Sequence, residues 1–268
     1  ENRKLTFKNG AVIRTSGTGT HYALHCYEGE NDGRLLMDNM YWYCENSNTV
    51  RLDIDMLDNN INSFGGSQFV SDGGYALYSK GYNCSDFNCL SSSTSTTTTI
   101  VSGSFINYTT QNTSTGNALQ LRGNIKVSHF SSKSTTGIGI YVVDDFIGTC
   151  THFDVETTTG DGIETRGNAT KQQKFSNFVI RCGNGICIDS NGQNTLYSSF
   201  LLTNNGTVAT VDSTNESLNT YSSGIIINNG SGYACNAFNT IDLNFSGVSF
   251  ISKNGVPVRS HLDNVLRS

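Results

Sequence analysis

A short phrase, Gly-x-Gly-Ile-x followed by a hydrophobic residue, recurs along this chain at nearly constant spacing. Copies begin at Gly137, Gly160 and Gly183. A copy with Ala in place of the second glycine begins at Gly116, and another begins after a longer step at Ser222. The step between copies is about 21 to 23 residues, and a fixed period in the twenties is typical of a solenoid that adds one coil per repeat. Such a chain has few alternative folds, because each repeat buries its apolar side chains only when its neighbours stack on it.

A second phrase, two apolar residues three positions apart, lies between copies of the first. It appears as Val127-Ser-His-Phe130, Cys150-Thr-His-Phe153 and Phe175-Ser-Asn-Phe178. Each repeat therefore holds at least two short strands, with corners rich in Gly, Asn, Ser and Thr. Helical repeat proteins are excluded, because no amphipathic helical pattern of sufficient length is present.

Stacked coils also predict which side chains point inward. Alternate residues of a strand face opposite sides, so like residues of successive coils should form interior columns. The inward pairs predicted from the phrase are Ile163 and Thr165, Ile186 and Ile188, and Ile225 and Ile227. Small residues should mark the preceding corner, namely Ala118, Gly139, Gly162, Gly185 and Gly224.

Residues 204–221 are predicted to be an insertion that doubles one step. A β-sandwich is the alternative fold, but it gives no reason for one phrase to keep one period.

Composition and charge limit the function. The 268 residues include 28 glycines and one proline, which favours short strands joined by turns. The net charge of −5, without a basic run, argues against nucleic-acid binding. No apolar run approaches the roughly 20 residues that span a bilayer, so no membrane insertion is expected. The 8 cysteines are expected to be mostly free, buried thiols, because a core of this size does not need disulfides.

These two phrases resemble the right-handed parallel β-helix of the pectin-lyase-like superfamily, and within it phage tailspikes and related receptor-binding tail proteins. The resemblance implies an all-β solenoid with an N-terminal cap or irregular first coils over residues 1–65 and a continuous body over 66–268. It also implies a homotrimer in the virion tail that contacts other tail proteins and binds cell-surface polysaccharide. No catalytic motif of one family matches. The pair Asp144-Asp145 only echoes the Asp-Asp element of polygalacturonases.

The outward positions of the first phrase give a candidate catalytic pair, Glu164 and Asp189. With one coil of about 4.8 Å and two strand residues of about 6.7 Å between them, their separation is expected to be about 8 Å. That distance falls in the window of roughly 6.5–9.5 Å that inverting glycosidases need for an acid, a base and a water. The neighbouring outward residues, which suit sugar rings and hydroxyls, are the candidate substrate-binding set: Gln120, Arg122, Tyr141 and Arg166.

Several other interpretations of these residues stay open. Glu164 and Asp189 could be solvated face residues, with Glu164 paired to Arg166 or Arg122. A lyase would instead use Arg166 as its base. The remaining acids beside the phrase, more typical of turns, are Asp161, Asp144 and Asp145.

His129 and His152 occupy equivalent positions one coil apart and are predicted to form a stacked polar ladder at a corner. Two imidazoles are also a minimal metal-ligand pair, but neither a metal nor a cofactor is expected.

Three functions follow from these observations. The first is a viral receptor-binding tail protein that holds surface glycan, with or without cleaving it. The second is a secreted polysaccharide lyase or glycoside hydrolase, for which disulfides and a tight acid cluster are expected. The third is a structural stalk or adhesin without catalysis. The chain begins in strand-like alternation without a signal-peptide pattern, as expected of a processed product.

Overall fold

The fold is a parallel β-solenoid, as the repeat predicts. A computed structural model describes residues 4–8, 10, 12–16, 21–26, 34–52, 61–143, 146–167, 172–191, 194–214, 218–238, 242–260 and 266–267. Within these ranges the structure contains no helix, and parallel strands stack in about nine turns. The all-β solenoid is confirmed, and the β-sandwich alternative is wrong.

The strands of the solenoid fall into two length classes. From residue 140 onward, short strands of three or four residues alternate with long strands of 11 residues. The strands are β1 (Lys4–Phe7), β2 (Val12–Ser16), β3 (Tyr22–Cys26), β4 (Arg34–Met37), β5 (Tyr41–Glu45), β6 (Asn48–Leu52), β7 (Ile61–Ser71), β8 (Leu77–Ser91), β9 (Thr99–Asn112), β10 (Leu119–Ser134), β11 (Ile140–Val142), β12 (Ile147–Thr157), β13 (Ile163–Arg166), β14 (Gln172–Cys182), β15 (Ile188–Asn191), β16 (Asn194–Asn204), β17 (Val211–Thr214), β18 (Leu218–Asn228), β19 (Cys235–Ala237), β20 (Asp242–Ser252), β21 (Val258–Ser260) and β22 (Leu266–Arg267).

Each turn of the body is one short strand followed by one long strand. Short strand pairs with short strand and long strand with long strand, always in parallel, as in β13 with β15 and β14 with β16. In β8, β9 and β10 the short-strand and long-strand segments of a turn are joined into one continuous strand. The described strands before residue 53 also stack in parallel on the body, because β5 pairs with β7 and β6 with β8. The predicted boundary near residue 65 stays a prediction.

The short strands contribute one interior column of apolar side chains. Ile163 and Ile188 are register partners, and both are fully buried. The column is completely buried from Val50 to Cys235 and half-buried at Val258, its last described member. Between Val50 and Val258 it consists of Leu77, Thr99, Leu119, Ile140, Ile163, Ile188, Val211 and Cys235. Like residues therefore stack on like residues, which is the packing that the repeat predicts.

Two copies of the phrase were predicted in the wrong register. The coil between Thr165 and Ser190 has 25 residues, two more than predicted, so Cys187 takes the corner position instead of Gly185. Ile186 is only half-buried, whereas Cys187 is fully buried. The spare residues lie in the turn before Cys187, where the sequence pattern does not constrain loop length.

The copy predicted at Ser222 belongs to the second phrase. Tyr221 pairs with Tyr197, and Gly224 pairs with Phe200, on the long strands β16 and β18. Ile225 is consequently 42% exposed and Ile226 fully buried, so the predicted orientation of this segment is reversed. A one-residue change of register exchanges the two faces of a strand.

The insertion predicted over residues 204–221 is instead a regular turn. It contains the short strand β17, whose Val211 is the register partner of Ile188. The prediction failed because the two glycines of the phrase are replaced in this turn by Val208 and Thr210.

Aromatic rings of the second phrase form a continuous stack inside the long strands. Phe153 lies 4.9 Å from both Phe130 and Phe178, measured between ring centroids, and its ring is nearly parallel to theirs. The stack extends through Tyr108 to Phe87 at one end and to Phe200 at the other. These side chains supply much of the apolar area that holds adjacent turns together.

The long strands from β8 to β20 share one bend, at a residue with a positive φ. Consecutive turns have this residue at the same register position, namely Asp86, Asn107, His129, His152, Asn177, Ser199, Ser223 and Gly247. The left-handed conformation places two successive side chains outward, and Asn, Asp and Gly tolerate it best. The predicted histidine ladder is confirmed, since the parallel rings of His129 and His152 stack at 4.9 Å.

The thiols behave as small apolar side chains. All 8 cysteines are free, and only Cys26 is not buried. Burial raises the pKa of Cys89 and Cys235 to about 12, so these thiols stay protonated and unreactive at neutral pH. The described residues form no helix of the length and apolarity needed to cross a membrane.

Removing one ring from the stack should destabilise the solenoid strongly. Phe178→Ala leaves a cavity between Phe153 and Phe200, so we expect a loss of about 3–5 kcal/mol in the free energy of unfolding. Urea denaturation followed by circular dichroism measures this change. Phe238→Ala is the matched control, because Phe238 is 42% exposed and its loss should cost less than about 1 kcal/mol. Equal losses in both variants would show that the stack does not carry the stability.

Candidate active site

The outward side chains of the short strands form one column across successive turns. Strand alternation places each of them between two inward residues, as Glu164 lies between the buried Ile163 and Thr165. Register pairing extends the column from Gln120 to Arg259, and its members in order are Gln120, Tyr141, Glu164, Asp189, Asp212, Asn236 and Arg259. The acids at its centre, Glu164, Asp189 and Asp212, are called the carboxylate column below.

The predicted catalytic pair is closer together than expected. Glu164 and Asp189 are direct register partners, without the two-residue offset that the sequence alignment gave. Their backbones are therefore one strand spacing apart, about 4.8 Å, and the predicted separation of 8 Å is wrong. The same register places Cys187 inward, where it is fully buried.

Asp212 is the acid that sequence reasoning missed. It pairs with Asp189 on the next turn and lies in the segment that was interpreted as an insertion. A usable signal was present, because Ile163-Glu-Thr, Ile188-Asp-Ser and Val211-Asp-Ser share the order apolar residue, acid, hydroxyl residue. The apolar residue and the hydroxyl face inward in each copy, so the acid between them must face outward.

Glu164 is buried and carries an ion pair. Only 6% of its side chain is exposed, and its Oε1 contacts the Nε of Arg166, whose own side chain is 60% exposed. Burial raises the pKa of Glu164, while the Arg166 guanidinium opposes that rise. The charge of Glu164 in turn raises the pKa of Arg166, so this arginine stays protonated. The predicted alternative pairing of Glu164 with Arg166 is therefore present, and it lies within the cluster.

Asp161 joins the cluster from the preceding corner. Its Oδ1 accepts a hydrogen bond of 2.7 Å from the backbone N–H of Ile186, one turn further on. Burial raises its pKa, although this hydrogen bond and Arg166 oppose the change. Asp161 thus has a structural role in joining two turns, as expected of a turn residue, and it also adds charge beside Asp189.

Asp189 is the acid of the cluster whose pKa is raised most strongly. Its pKa rises from the ordinary 3.8 to about 7, first because the carboxyl is largely shielded from water, and then because Asp161, Glu164 and Asp212 surround it with negative charge. A carboxyl with this pKa is protonated in a large fraction of molecules at neutral pH. It can therefore donate a proton under conditions in which an ordinary aspartate cannot.

Asp212 is the more accessible neighbour of Asp189. Its side chain is half-buried, and its Oδ1 accepts a hydrogen bond of 3.1 Å from the side-chain amide of Asn236. Burial raises the pKa of Asp212, and the hydrogen bond from Asn236 opposes the rise by favouring the ionised form. The column therefore places the acid with the most strongly raised pKa between two acids whose pKa is held down by a neighbouring group.

A buried polar network fixes the strands beneath the column. Thr165 Oγ1 donates to Ser190 Oγ at 3.1 Å, and Asn219 Nδ2 donates to Ser190 Oγ at 2.7 Å and to Ser213 Oγ at 3.2 Å. All four residues are at most 1% exposed. Each hydroxyl residue directly follows one of the acids, so the network holds the acids at fixed heights along the solenoid.

The predicted substrate-binding residues lie in or beside the same column. Tyr141 is half-buried and pairs with Glu164 on one side and with Gln120 on the other. Gln120 is buried, and its Oε1 accepts a hydrogen bond of 3.2 Å from Arg122 Nη2. The structure thus brings all six predicted site residues onto one face over four turns. It presents Arg122 and Arg166 to solvent.

Other sequence candidates lie away from this site. Asp144 and Asp145 lie outside the described residues. His129 and His152 are on the bend of the long strands, so they are not part of the column. Among the residues that the structure describes, no group of three or more His, Cys, Asp or Glu side chains has a geometry suited to a metal ion.

Comparison with models of protein families, with curated proteins and with solved structures gives no match for this chain. Any function must therefore be argued from the chemistry of its own residues.

Because the pKa of Asp189 is raised in the folded protein, the free energy of unfolding should depend on pH. The native state keeps the proton of Asp189 up to about pH 7, whereas the unfolded chain loses it near pH 4. Stability supplied by the bound proton is complete below pH 4 and is lost as the pH rises through 7. We therefore expect the free energy of unfolding of the parent protein to fall relative to that of Asp189→Asn over this range, on the order of 2 kcal/mol.

Urea denaturation at several pH values from 4 to 8 measures this difference. The matched control is Asp86→Asn, an exposed aspartate on the bend of a long strand. A constant difference between Asp189→Asn and the parent over the whole range would contradict the shifted pKa.

Proposed function

We propose that the chain binds a cell-surface polysaccharide across the outer face of its short strands and hydrolyses it at the carboxylate column. The observation that carries this proposal is the pKa of about 7 at Asp189, between two register-paired carboxylates. Glycoside hydrolysis needs such a pair of unlike carboxyl groups, one protonated and one ionised.

The spacing favours a retaining mechanism. Retaining glycosidases hold their two carboxyl groups about 5–5.5 Å apart, close to one strand spacing, whereas inverting enzymes need about 6.5–9.5 Å. Asp189 donates its proton to the glycosidic oxygen as the bond from that oxygen to the anomeric carbon breaks. Asp212 bonds to the anomeric carbon in the same step. Water then attacks this carbon, gives its proton to Asp189 and releases Asp212 as a carboxylate.

Glu164 acts through Asp189 in this scheme. Its carboxylate is buried and held by Arg166, so it is poorly placed to reach substrate. Its negative charge raises the pKa of Asp189 and so keeps the acid protonated. A lyase mechanism is less well supported, because the charge of Glu164 raises the pKa of Arg166 and makes this arginine a poor base.

The biological setting that we propose is a phage tailspike or related receptor-binding tail protein. The parallel solenoid and the free, buried thiols support this setting over a disulfide-linked secreted enzyme. In it the chain is a homotrimer on the virion tail, contacts other tail proteins and binds surface polysaccharide for host adsorption. A trimer needs apolar residues at its subunit contacts. Ile226 cannot serve, because it is buried in the core, whereas Val143 is only half-buried.

Cleavage assays test the catalytic assignment. We expect Asp189→Asn and Asp212→Asn each to lower kcat/KM by about 10²- to 10⁴-fold, because each removes one proton-transfer or nucleophilic group. The substrates are purified capsular and O-antigen polysaccharides. New reducing ends report hydrolysis, and the ultraviolet absorbance of unsaturated sugars reports elimination.

The pH profile separates the role of Glu164 from those of the other two acids. We expect the rate to decline above about pH 7 in the parent, and the decline to begin at lower pH in Glu164→Gln, because a charge that raises the pKa of Asp189 is gone. Glu156→Gln is the control, since Glu156 is an exposed acid on β12 paired with Lys133. Cleavage that survives both Asp189→Asn and Glu164→Gln would show that the site is elsewhere.

Solution mass tests the proposed assembly. Light scattering after size exclusion should give three times the chain mass of 29.0 kDa. A monomer would favour the secreted enzyme over the tail protein, and the cleavage results would still stand.

A further inference from the structure

A long groove lies on the long strands, away from the carboxylate column. It has a volume of about 1060 Å³ and follows the bend from Gly66 on β7 to Ser249 on β20. None of the site residues discussed above lines it. We call it the bend groove.

The floor of the bend groove is apolar. It is formed by the outer atoms of the ring stack, whose side chains are otherwise buried: Phe87, Tyr108, Phe130, Phe153, Phe178 and Phe200. The rings from Tyr108 to Phe178 lie within 13° of parallel with their neighbours, so the floor is regular from turn to turn.

The walls of the bend groove carry exposed polar groups that repeat once per turn. One wall holds the left-handed residues, whose conformation directs imidazole, amide and hydroxyl groups outward, as in His129, His152, Asn177 and Ser199. The facing wall is two residues further along each strand. It is polar in the earlier turns and at Ser249 in the last one, and it is apolar between them, at Val179, Leu201 and Ile225.

The charge of the bend groove limits what it can bind. No lysine or arginine lines it, and its two acids are Asp86 and Asp154. Asp154 lies 3.9 Å from Arg181, which stands outside the groove. Polyanions such as nucleic acids or uronate-rich polymers would meet no lysine or arginine along its length, so charge complementarity points to an uncharged ligand.

The repeat of the bend groove matches a polymer. Equivalent hydrogen-bonding groups recur every turn, about 4.8 Å apart, in a straight line along the solenoid axis. A sugar residue in an extended chain occupies a length close to one turn, and it presents an apolar ring face together with hydroxyl groups. An apolar floor with amide, imidazole and hydroxyl walls offers partners to both.

We infer that the bend groove is a second, non-catalytic binding site for an uncharged polysaccharide segment that runs parallel to the solenoid axis. The inference goes beyond the proposed hydrolase, because it concerns a different face and needs no catalysis. Where both faces bind the same polymer, the groove raises the local concentration of substrate at the carboxylate column without a new catalytic contact.

A groove-filling substitution tests the inference directly. Leu201→Trp places a large ring in the groove at an outward position of β16, where a strand tolerates aromatic residues. The matched control is Leu196→Trp, because Leu196 is a half-buried outward residue of the same strand that does not line the groove. Both are made in the Asp189→Asn protein, in which the proposed catalytic acid is removed and the polymer is expected to stay intact.

Binding is measured by calorimetry and affinity electrophoresis with dextran, mannan, galactan and uncharged O-antigen polysaccharides, and with alginate and hyaluronan as acidic polymers. We expect at least one uncharged polymer to bind, Leu201→Trp to weaken that binding tenfold or more, and Leu196→Trp to bind as the parent does. His152→Asn, which keeps a residue suited to positive φ, should weaken binding less and provides a second, milder test.

Several outcomes would overturn the inference. These are the absence of binding by every uncharged polymer, stronger binding of the acidic ones, or equal affinities in the two tryptophan variants. A change of solution mass in Leu201→Trp alone would identify the groove as a subunit contact instead. Cleavage of short oligosaccharides is assayed in parallel, with Leu201→Trp made in the protein that keeps Asp189. Loss of groove binding with cleavage intact therefore separates this inference from the proposed hydrolase.

Discussion

In-register stacking of successive turns is the constraint on which the rest of this molecule depends. Each parallel strand satisfies its backbone donors and acceptors on the turns above and below, so a residue's position within its turn determines its neighbours for the length of the solenoid. Apolar columns, the ring stack and the bend all follow from this single rule. The left-handed residue at each bend is its clearest mark, because eight consecutive turns from Asp86 to Gly247 place it at the same position.

The same constraint concentrates charge at the proposed active site. Acids that are 23 to 25 residues apart in the chain lie one strand spacing apart in space, over a floor of buried hydroxyls. Burial and mutual repulsion then raise the pKa of the middle acid, while Arg166 and Asn236 oppose the same rise at its two neighbours. A cluster of like charges is unfavourable for folding, and its presence over an ordered polar network is typical of functional sites.

The two outer faces of the solenoid differ in chemistry in a way that suits one long ligand. The short strands carry acids and arginines, and the long strands carry a groove without cations and with an apolar floor. A polymer held at both faces would dissociate more slowly than one held at either, because release requires two separate events. For a protein proposed to adsorb to a polysaccharide surface, retention and cleavage would then be separate properties of separate strands.

The sequence by itself determined the parallel solenoid, the stacked rings and histidines, and the outward direction of Glu164, because a repeated phrase reports strand alternation and stacking directly. It did not determine register. The two extra residues before Cys187 moved Asp189 opposite Glu164, and a turn whose corner lacks glycine hid Asp212. Only the tertiary structure decided these points, since turn length leaves no periodic trace in sequence, and the pKa of Asp189 depends on three acids brought together only by the stacked turns.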